Sequence, residues 1–131
     1  MQVELYYLDD SSYVRAQDFY PGVTGDGSFS QENYAASSSS QLSTYWPSLI
    51  YEGTDGSLHE VTFAGSRTEN IWNAEAKVQA GALVNGSGLA ELTTTPNFTN
   101  LSLFWQDTSG NLVLQQRDPN DTTWNAGEWL S

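Results

Sequence analysis

A hairpin written three times constrains this chain more than any other feature. From Ile50 to Phe63, two runs of β-formers flank the dipeptide Asp55-Gly56. Asp-Gly between such runs signals a tight turn, because glycine reaches φ > 0 without a Cβ clash. The pattern recurs from Phe104 to Gln115 around Ser109-Gly110, and more loosely from Tyr6 to Gln17 around Ser11-Ser12. Aligned on the turn, Ser12, Gly56 and Gly110 stand 44 and then 54 residues apart. A hairpin repeated at roughly 40–55 residues is the period of a propeller or another repeat array.

The segments around each hairpin complete a unit of four strands. Gln41 to Tyr45 and Gly88 to Thr94 alternate, carry small residues, and end before Pro47 and Pro96. Past the hairpins, Ile71-Trp72-Asn73 and Thr122 to Asn125 read as short strands, each carrying a tryptophan. Four antiparallel strands, with small residues inside and aromatics outside, fit a propeller blade. The expectation is therefore an all-β, propeller-like array of about three four-stranded antiparallel blades in one domain. The repeats run over residues 2–40, 41–87 and 88–131, and the first lacks its inner strand. Its hairpin is Gln2 to Leu8 with Tyr13 to Phe19, and Ser28 to Tyr34 is its outer strand. Ser-rich Ala35 to Ser40 reads as an exposed loop. Ala74 to Ala82 has some helical propensity, but Gly81 and the lack of caps argue against a long helix. Three blades cannot close a ring, and an open array leaves sheet edges able to pair with other chains. Either the chain assembles into a closed ring, most simply as a homodimer, or it is a piece of a longer propeller.

Composition narrows the partners. The 131 residues suit one compact domain, and 13% aromatics argue against disorder. Sixteen acidic against four basic residues give a net charge of −12, which repels nucleic-acid phosphates and anionic membranes alike. No apolar run of spanning length is present. There is no cysteine, hence no disulfide, thiol nucleophile or thiolate metal site. Four Asn-x-Ser/Thr sequons (at Asn85, Asn97, Asn100 and Asn120) and a single lysine, Lys77, point to a secreted, extracellular protein. If the protein is secreted, Met1 stands in place of a removed leader.

Chemistry-bearing residues are few. His59 is the only histidine, and without a nucleophile or metal partner it reads as a surface residue. No Gly-x-Ser-x-Gly occurs, and no carboxylate pair is singled out for glycoside hydrolysis, so the chain reads as non-catalytic. The acidic clusters at Asp9-Asp10, Asp26-Gly27 and Asp118 to Asp121 lack the alternating oxygens of an EF-hand loop and read as turns. No metal or cofactor is expected. Trp72, Trp105 and Trp124 are either platforms for sugar C–H faces or core between blades. Trp46 and Trp129 read as packing residues.

The chain resembles the fungal fucose-specific lectins, six-bladed propellers with sugar sites between adjacent blades. The matching parts are Gly88-Leu89-Ala90-Glu91, the hairpin from Tyr51 through Asp55-Gly56 to Glu60, and Trp72-Asn73 or Trp124-Asn125. The likeness covers about residues 2 to 131, most clearly from Trp46 onward. It implies half of a six-bladed ring that binds glycans or glycoproteins, fucose among them, without cofactor or catalysis. In that family an arginine on the second strand, a glutamate on the third and nearby aromatics hold the sugar. The glutamate is matched by Glu60 alone, where the other repeats carry Ala16 and Leu114. The second-strand position reads Glu4, Ser48 and Ser102, so the arginine is missing there; Arg15, Arg67 and Arg117 lie on other strands. The implied sugar-binding residues are Glu60, Tyr51, Trp72, Trp105 and Trp124. The alternative is a propeller-fold interaction or structural protein that has lost sugar binding.

Overall fold

A computed structural model describes residues 3–20, 23–25, 34–63, 75–79, 83, 87–93, 101–118, 121 and 123–130. Among these residues the regular structure is all β. The first sheet holds β1 (Val3–Leu8), β2 (Val14–Tyr20) and β3 (Val23–Gly25). The second holds β4 (Leu42–Tyr45), β5 (Ser48–Glu52), β6 (Leu58–Thr62) and β7 (Ala76–Gln79), paired in that order. The third repeats the arrangement with β8 (Ala90–Thr93), β9 (Leu101–Gln106), β10 (Leu112–Arg117) and β11 (Glu128–Trp129). Every pairing is antiparallel. The innermost strands β4 and β8 touch one another, as neighbouring blades do at a propeller axis. The array is propeller-like, and its first sheet has no innermost strand among the described residues.

The three turns repeat almost atom for atom. The N–H groups of Asp9, Gly53 and Asp107 donate to the carbonyls of Tyr13, Ser57 and Asn111, at 3.0, 2.8 and 3.0 Å. Inside each loop, Ser12, Gly56 and Gly110 donate back to residues 9, 53 and 107, and all three are left-handed, with φ of 63°, 71° and 84°. The loop between β5 and β6 is therefore five residues long and closes on a left-handed position, a longer form than a two-residue Asp-Gly turn. The left-handed position explains why glycine marks the turn twice.

Side chains alternate along the strands, so each sheet offers one face to the sheet before it and one to the sheet after it. Tyr6, Leu8, Val14 and Ala16 of the first sheet pack with Leu49, Tyr51 and Val61 of the second. The second sheet's other face, through Ile50 and Leu58, packs with Leu103, Trp105 and Val113 of the third. Strand β5 is buried along its whole length because it is covered on both sides.

Several expectations change. The Ser-rich segment is not an exposed loop: Tyr34, Ala36 and Ser40 are buried, and Ala36 bridges Gly53. Its serine hydroxyl explains why, since Glu52 N–H donates to Ser40 Oγ at 2.9 Å. The third sheet repeats the device, with Gln106 N–H donating to Ser87 Oγ at 2.9 Å. The outer strand of the second sheet is β7, inside the segment that carried only weak helical propensity; Ile71-Trp72-Asn73 lies outside the described residues. In the third sheet the outer strand is Glu128–Trp129, while Asn125 is tied to β10 without forming a strand: its N–H donates to the Gln116 carbonyl at 3.0 Å, its Oδ1 accepts the Gln116 N–H at 2.7 Å, and its carbonyl accepts from Gln115 Nε2 at 3.0 Å. In the first sheet the third strand is Val23–Gly25, and residues 28–33 lie outside the described set. Trp46 sits 4.7 Å from the Phe63 ring, but Trp129 is 74% exposed and packs little.

Candidate functional site: a buried polar junction between the second and third sheets

Glu60 sits on β6 with its side chain turned toward the third sheet, and it is buried. An isolated buried carboxylate is costly unless charges and donors compensate it. Three donors do so. Ser48 Oγ, one strand away on β5, donates to Oε1 at 2.7 Å, and the guanidinium Nη2 of Arg117 makes a very short charge-assisted bond to the same oxygen. Trp124 Nε1–H donates to Oε2 at 2.9 Å. Arg117 lies at the end of β10, is as buried as Glu60, and carries its charge 5.2 Å over the Trp124 ring. Its Nη1 donates to the Asp121 carbonyl at 2.8 Å.

A second carboxyl faces the same junction. Glu91, on β8, accepts the Tyr45 N–H at 3.0 Å through Oε2. Burial pushes its carboxyl up to about 8, with the Glu60 charge adding to the rise, while Ser48, the Tyr45 N–H and Arg117 oppose it. Near neutral pH Glu91 is therefore largely protonated and able to donate as well as accept. Two buried atoms here find no hydrogen-bond partner among the described residues: Glu91 Oε1 and Arg117 Nε. Orphaned buried polar atoms call for water or a ligand.

The expected site residues separate into two groups. Glu60 and Trp124 come together in this junction. Tyr51 and Trp105 do not join them as sugar platforms. Tyr51 is fully buried between the first and second sheets, stacked 5.7 Å from His59, and Trp105 is core, its Nε1–H donating to Gln115 Oε1 at 2.9 Å. Rings at the middle of a sheet-to-sheet contact contribute by excluding water. Trp72 lies outside the described residues, as do the asparagines of all four sequons.

His59 is also not a surface residue. It is buried, with Nε2 2.9 Å from Asp55 Oδ1 and Nδ1 in a short contact with Glu75. Lys77 and then His59 hold the Asp55 carboxyl well below the usual range. Among the described residues no group of three or more His, Asp or Glu side chains is arranged to hold a metal ion.

Sequence reasoning missed Arg117, Ser48 and Glu91. The second-strand position at Glu60 is Ser48, as the sequence states, and the guanidinium on Glu60 arrives from the next sheet. A signal existed. Counting by the repeat, Arg117 falls where the earlier units carry Phe19 and Phe63, just as Glu60 falls where the others carry Ala16 and Leu114. Two opposite charges at otherwise apolar positions of adjacent units announce a buried pair.

No protein-family model matches the chain, and no curated protein matches it in sequence. Among solved structures it is similar to AofleA from Arthrobotrys oligospora, solved as a triple arginine-to-alanine variant. The TM-score is 0.75 at 21% identity, over 97% of this chain and 39% of that one. The chain thus spans about two-fifths of that protein's length, and the likeness establishes the propeller-type fold.

Proposed function

We propose that this chain is a secreted, non-catalytic glycan-binding module whose sugar site is the junction built by Glu60, Arg117, Glu91 and Trp124. The observation that carries the reading is the pair of orphaned buried atoms beside an aromatic ring. Arg117 Nε has a proton to give, and Glu91 Oε1 sits on a carboxyl that both gives and accepts. Vicinal sugar hydroxyls, each a donor and an acceptor, are the ligand chemistry that answers both at once. The Glu60–Arg117 pair fixes the guanidinium, and half-buried Trp124 offers its remaining surface to sugar C–H groups. The resemblance to the fungal fucose-specific lectins makes fucose the first sugar to test, and the scarce lysine and four sequons suit an extracellular setting. A single polar junction of this kind among the described residues makes for a weak site, useful when several are presented together.

The test is a glycan-array screen followed by titration of the best ligand into wild type, Glu91→Gln and Trp124→Ala. Selective binding to one sugar class that weakens at least tenfold in both variants supports the site. Silence across the array from folded protein overturns the glycan reading, and full binding by both variants moves the site elsewhere.

A further inference from the structure

The junction holds two carboxyls and one guanidinium, and the way they share charge bears on when the site can take a sugar. Arg117 gives its charge to Glu60 in a very short bond, and Ser48 and Trp124 complete the donors on that carboxylate. Among the described residues Glu91 accepts one N–H, from Tyr45, on Oε2, and its Oε1 is buried without a hydrogen-bond partner. One cation cannot neutralise two carboxyls, so the buried junction is charge-balanced only when Glu91 carries a proton. That proton belongs on Oε1, because an N–H already points at Oε2 and can only donate.

The groups around Glu91 offer it no second cation. From β6 it faces the Glu60 charge and from β10 the Arg117 charge, already committed to Glu60. From β5 it faces Ser48, whose hydroxyl proton goes to Glu60, and its partner on β9 is Leu103. Toward β4 the strands are clasped both ways: Tyr45 N–H donates to the carboxyl, and Glu91 N–H donates to Ser43 Oγ at 2.7 Å. Turning the carboxyl out to water would break the first of these bonds. Burial, reinforced by the Glu60 charge, raises it to about 8.

We infer that the Glu91 proton gates the sugar site: the protonated junction closes on a sugar, and the ionised junction releases it. A neutral sugar brings no charge of its own, and it displaces water that would hydrate an ionised Glu91. Covering the protonated junction buries a balanced set of charges. Covering the ionised one buries an unbalanced negative charge beside Glu60. By linkage, a sugar that binds an ionised junction takes up one proton from solvent as it does so. The inference rests on the sugar-site reading above and adds the condition under which that site works.

Calorimetric titration with fucose and with the tightest array glycan, at pH 6, 8 and 9, decides the matter, with circular dichroism confirming the fold at each pH. Wild type is expected to bind about tenfold more weakly at pH 9 than at pH 6, because about one junction in ten keeps its proton there. Repeating the pH 8 titration in buffers of different ionisation enthalpy is expected to show uptake of about half a proton per sugar bound, against almost none at pH 6. Glu91→Gln keeps a neutral group that donates hydrogen bonds but cannot also accept at the same atom. Its weaker binding is therefore expected to be the same at all three pH values. Wild-type affinity that is equal at pH 6 and 9, or greater at pH 9, overturns the gate and leaves the sugar site standing. A Glu91→Gln variant that loses affinity with pH as wild type does assigns the effect to another group, and also overturns the gate. No binding by folded protein at any pH overturns the sugar reading and the gate with it.

Discussion

The joint between the first and second sheets and the joint between the second and third occupy the same place in the repeat, yet they solve different problems. At the first joint the positions of interest carry Ala16, Phe63 and Thr44. At the second the corresponding residues are Glu60, Arg117 and Glu91. The first is apolar where Tyr34 and Tyr51 pack with ring centroids 6.5 Å apart, and toward the hairpin turn it takes in buried His59 and a Tyr51 hydroxyl without a hydrogen-bond partner. The second keeps an apolar half, with Ile50, Leu58, Leu103 and Trp105, and adds a buried ion pair with two orphaned polar atoms. Since the first joint holds with no charge at these three positions, the second does not need an ion pair there to hold. The scaffold and the site are therefore separable, and stability measurements can tell them apart.

The largest expected effect comes from removing half of the ion pair. Arg117→Met leaves the Glu60 carboxylate buried with only two neutral donors, and breaking a buried pair from one side costs about 3–5 kcal/mol. Converting the joint into a copy of its neighbour, with Glu60→Ala and Arg117→Phe together, removes both charges and restores apolar packing. Replacing a whole buried pair by apolar groups is often neutral or stabilising, though Trp124 and Ser48 lose an acceptor at roughly 1 kcal/mol each. The double variant is expected within about 2 kcal/mol of wild type by urea unfolding, and unable to bind glycan. If it proves as unstable as Arg117→Met, the pair is structural and the two joints are not interchangeable.

How much of this was legible follows the same division. The hairpins were readable because a left-handed turn residue leaves glycine in the sequence, and Gly56 and Gly110 set the register of everything between them. The innermost strands β4 and β8 were readable from alternation ended by proline. The outer strands were not. Strands β7 and β11 are short, β7 offers one half-buried apolar side chain, Val78, and the described side chains of β11 are exposed, so no apolar alternation marks them, and the reading rested on the tryptophans instead. Serine misled in another way, since Ser40 and Ser87 look like loop residues but serve as buried acceptors for hairpin N–H groups. In the site, Glu60 stood out by departing from its repeat position, but its partner arrives from the neighbouring sheet, 57 residues away. That distance is set by how sheets stack, which strand patterns within one unit do not encode.

Glu91 offers a sharper probe of the same contrast, with a smaller effect. Its folded-state value of about 8 lies above the ordinary 4.5, so the group contributes stability fully below about pH 4.5. That contribution is lost as pH rises toward 8, because deprotonation then buries a charge away from water, and one beside Glu60. At about 1.4 kcal/mol per unit, the loss is on the order of a few kcal/mol at most, less for a half-buried group. Glu91→Gln, which stays neutral, is expected to flatten the stability profile between pH 5 and 8.5 and to exceed wild type at the alkaline end. Equal slopes for the two proteins would mean that Glu91 is ionised in the fold and that the junction is more hydrated than its geometry suggests. Thr44, at the same place in the other joint, has nothing to titrate, so changing it leaves the profile alone.

The smallest effect tests the part of the repeat that does not diverge. Ser12, Gly56 and Gly110 share one backbone conformation, but only Ser12 holds it with a Cβ. A left-handed position costs an L-residue roughly 1–2 kcal/mol, while glycine gives back about 0.5–1 kcal/mol through unfolded-state entropy. Ser12→Gly is therefore expected to raise stability by less than about 1 kcal/mol, and Gly56→Ala to lower it by a similar or larger amount. Both leave glycan binding unchanged, because the turns lie at the hairpin ends, away from Glu60 and Arg117. A Ser12→Gly variant that unfolds more easily would mean that the serine stabilises the first turn in some way its glycine counterparts do not. The three hairpins would then be alike in geometry without being held by the same forces, and the repeat would be a weaker guide to the joints between them.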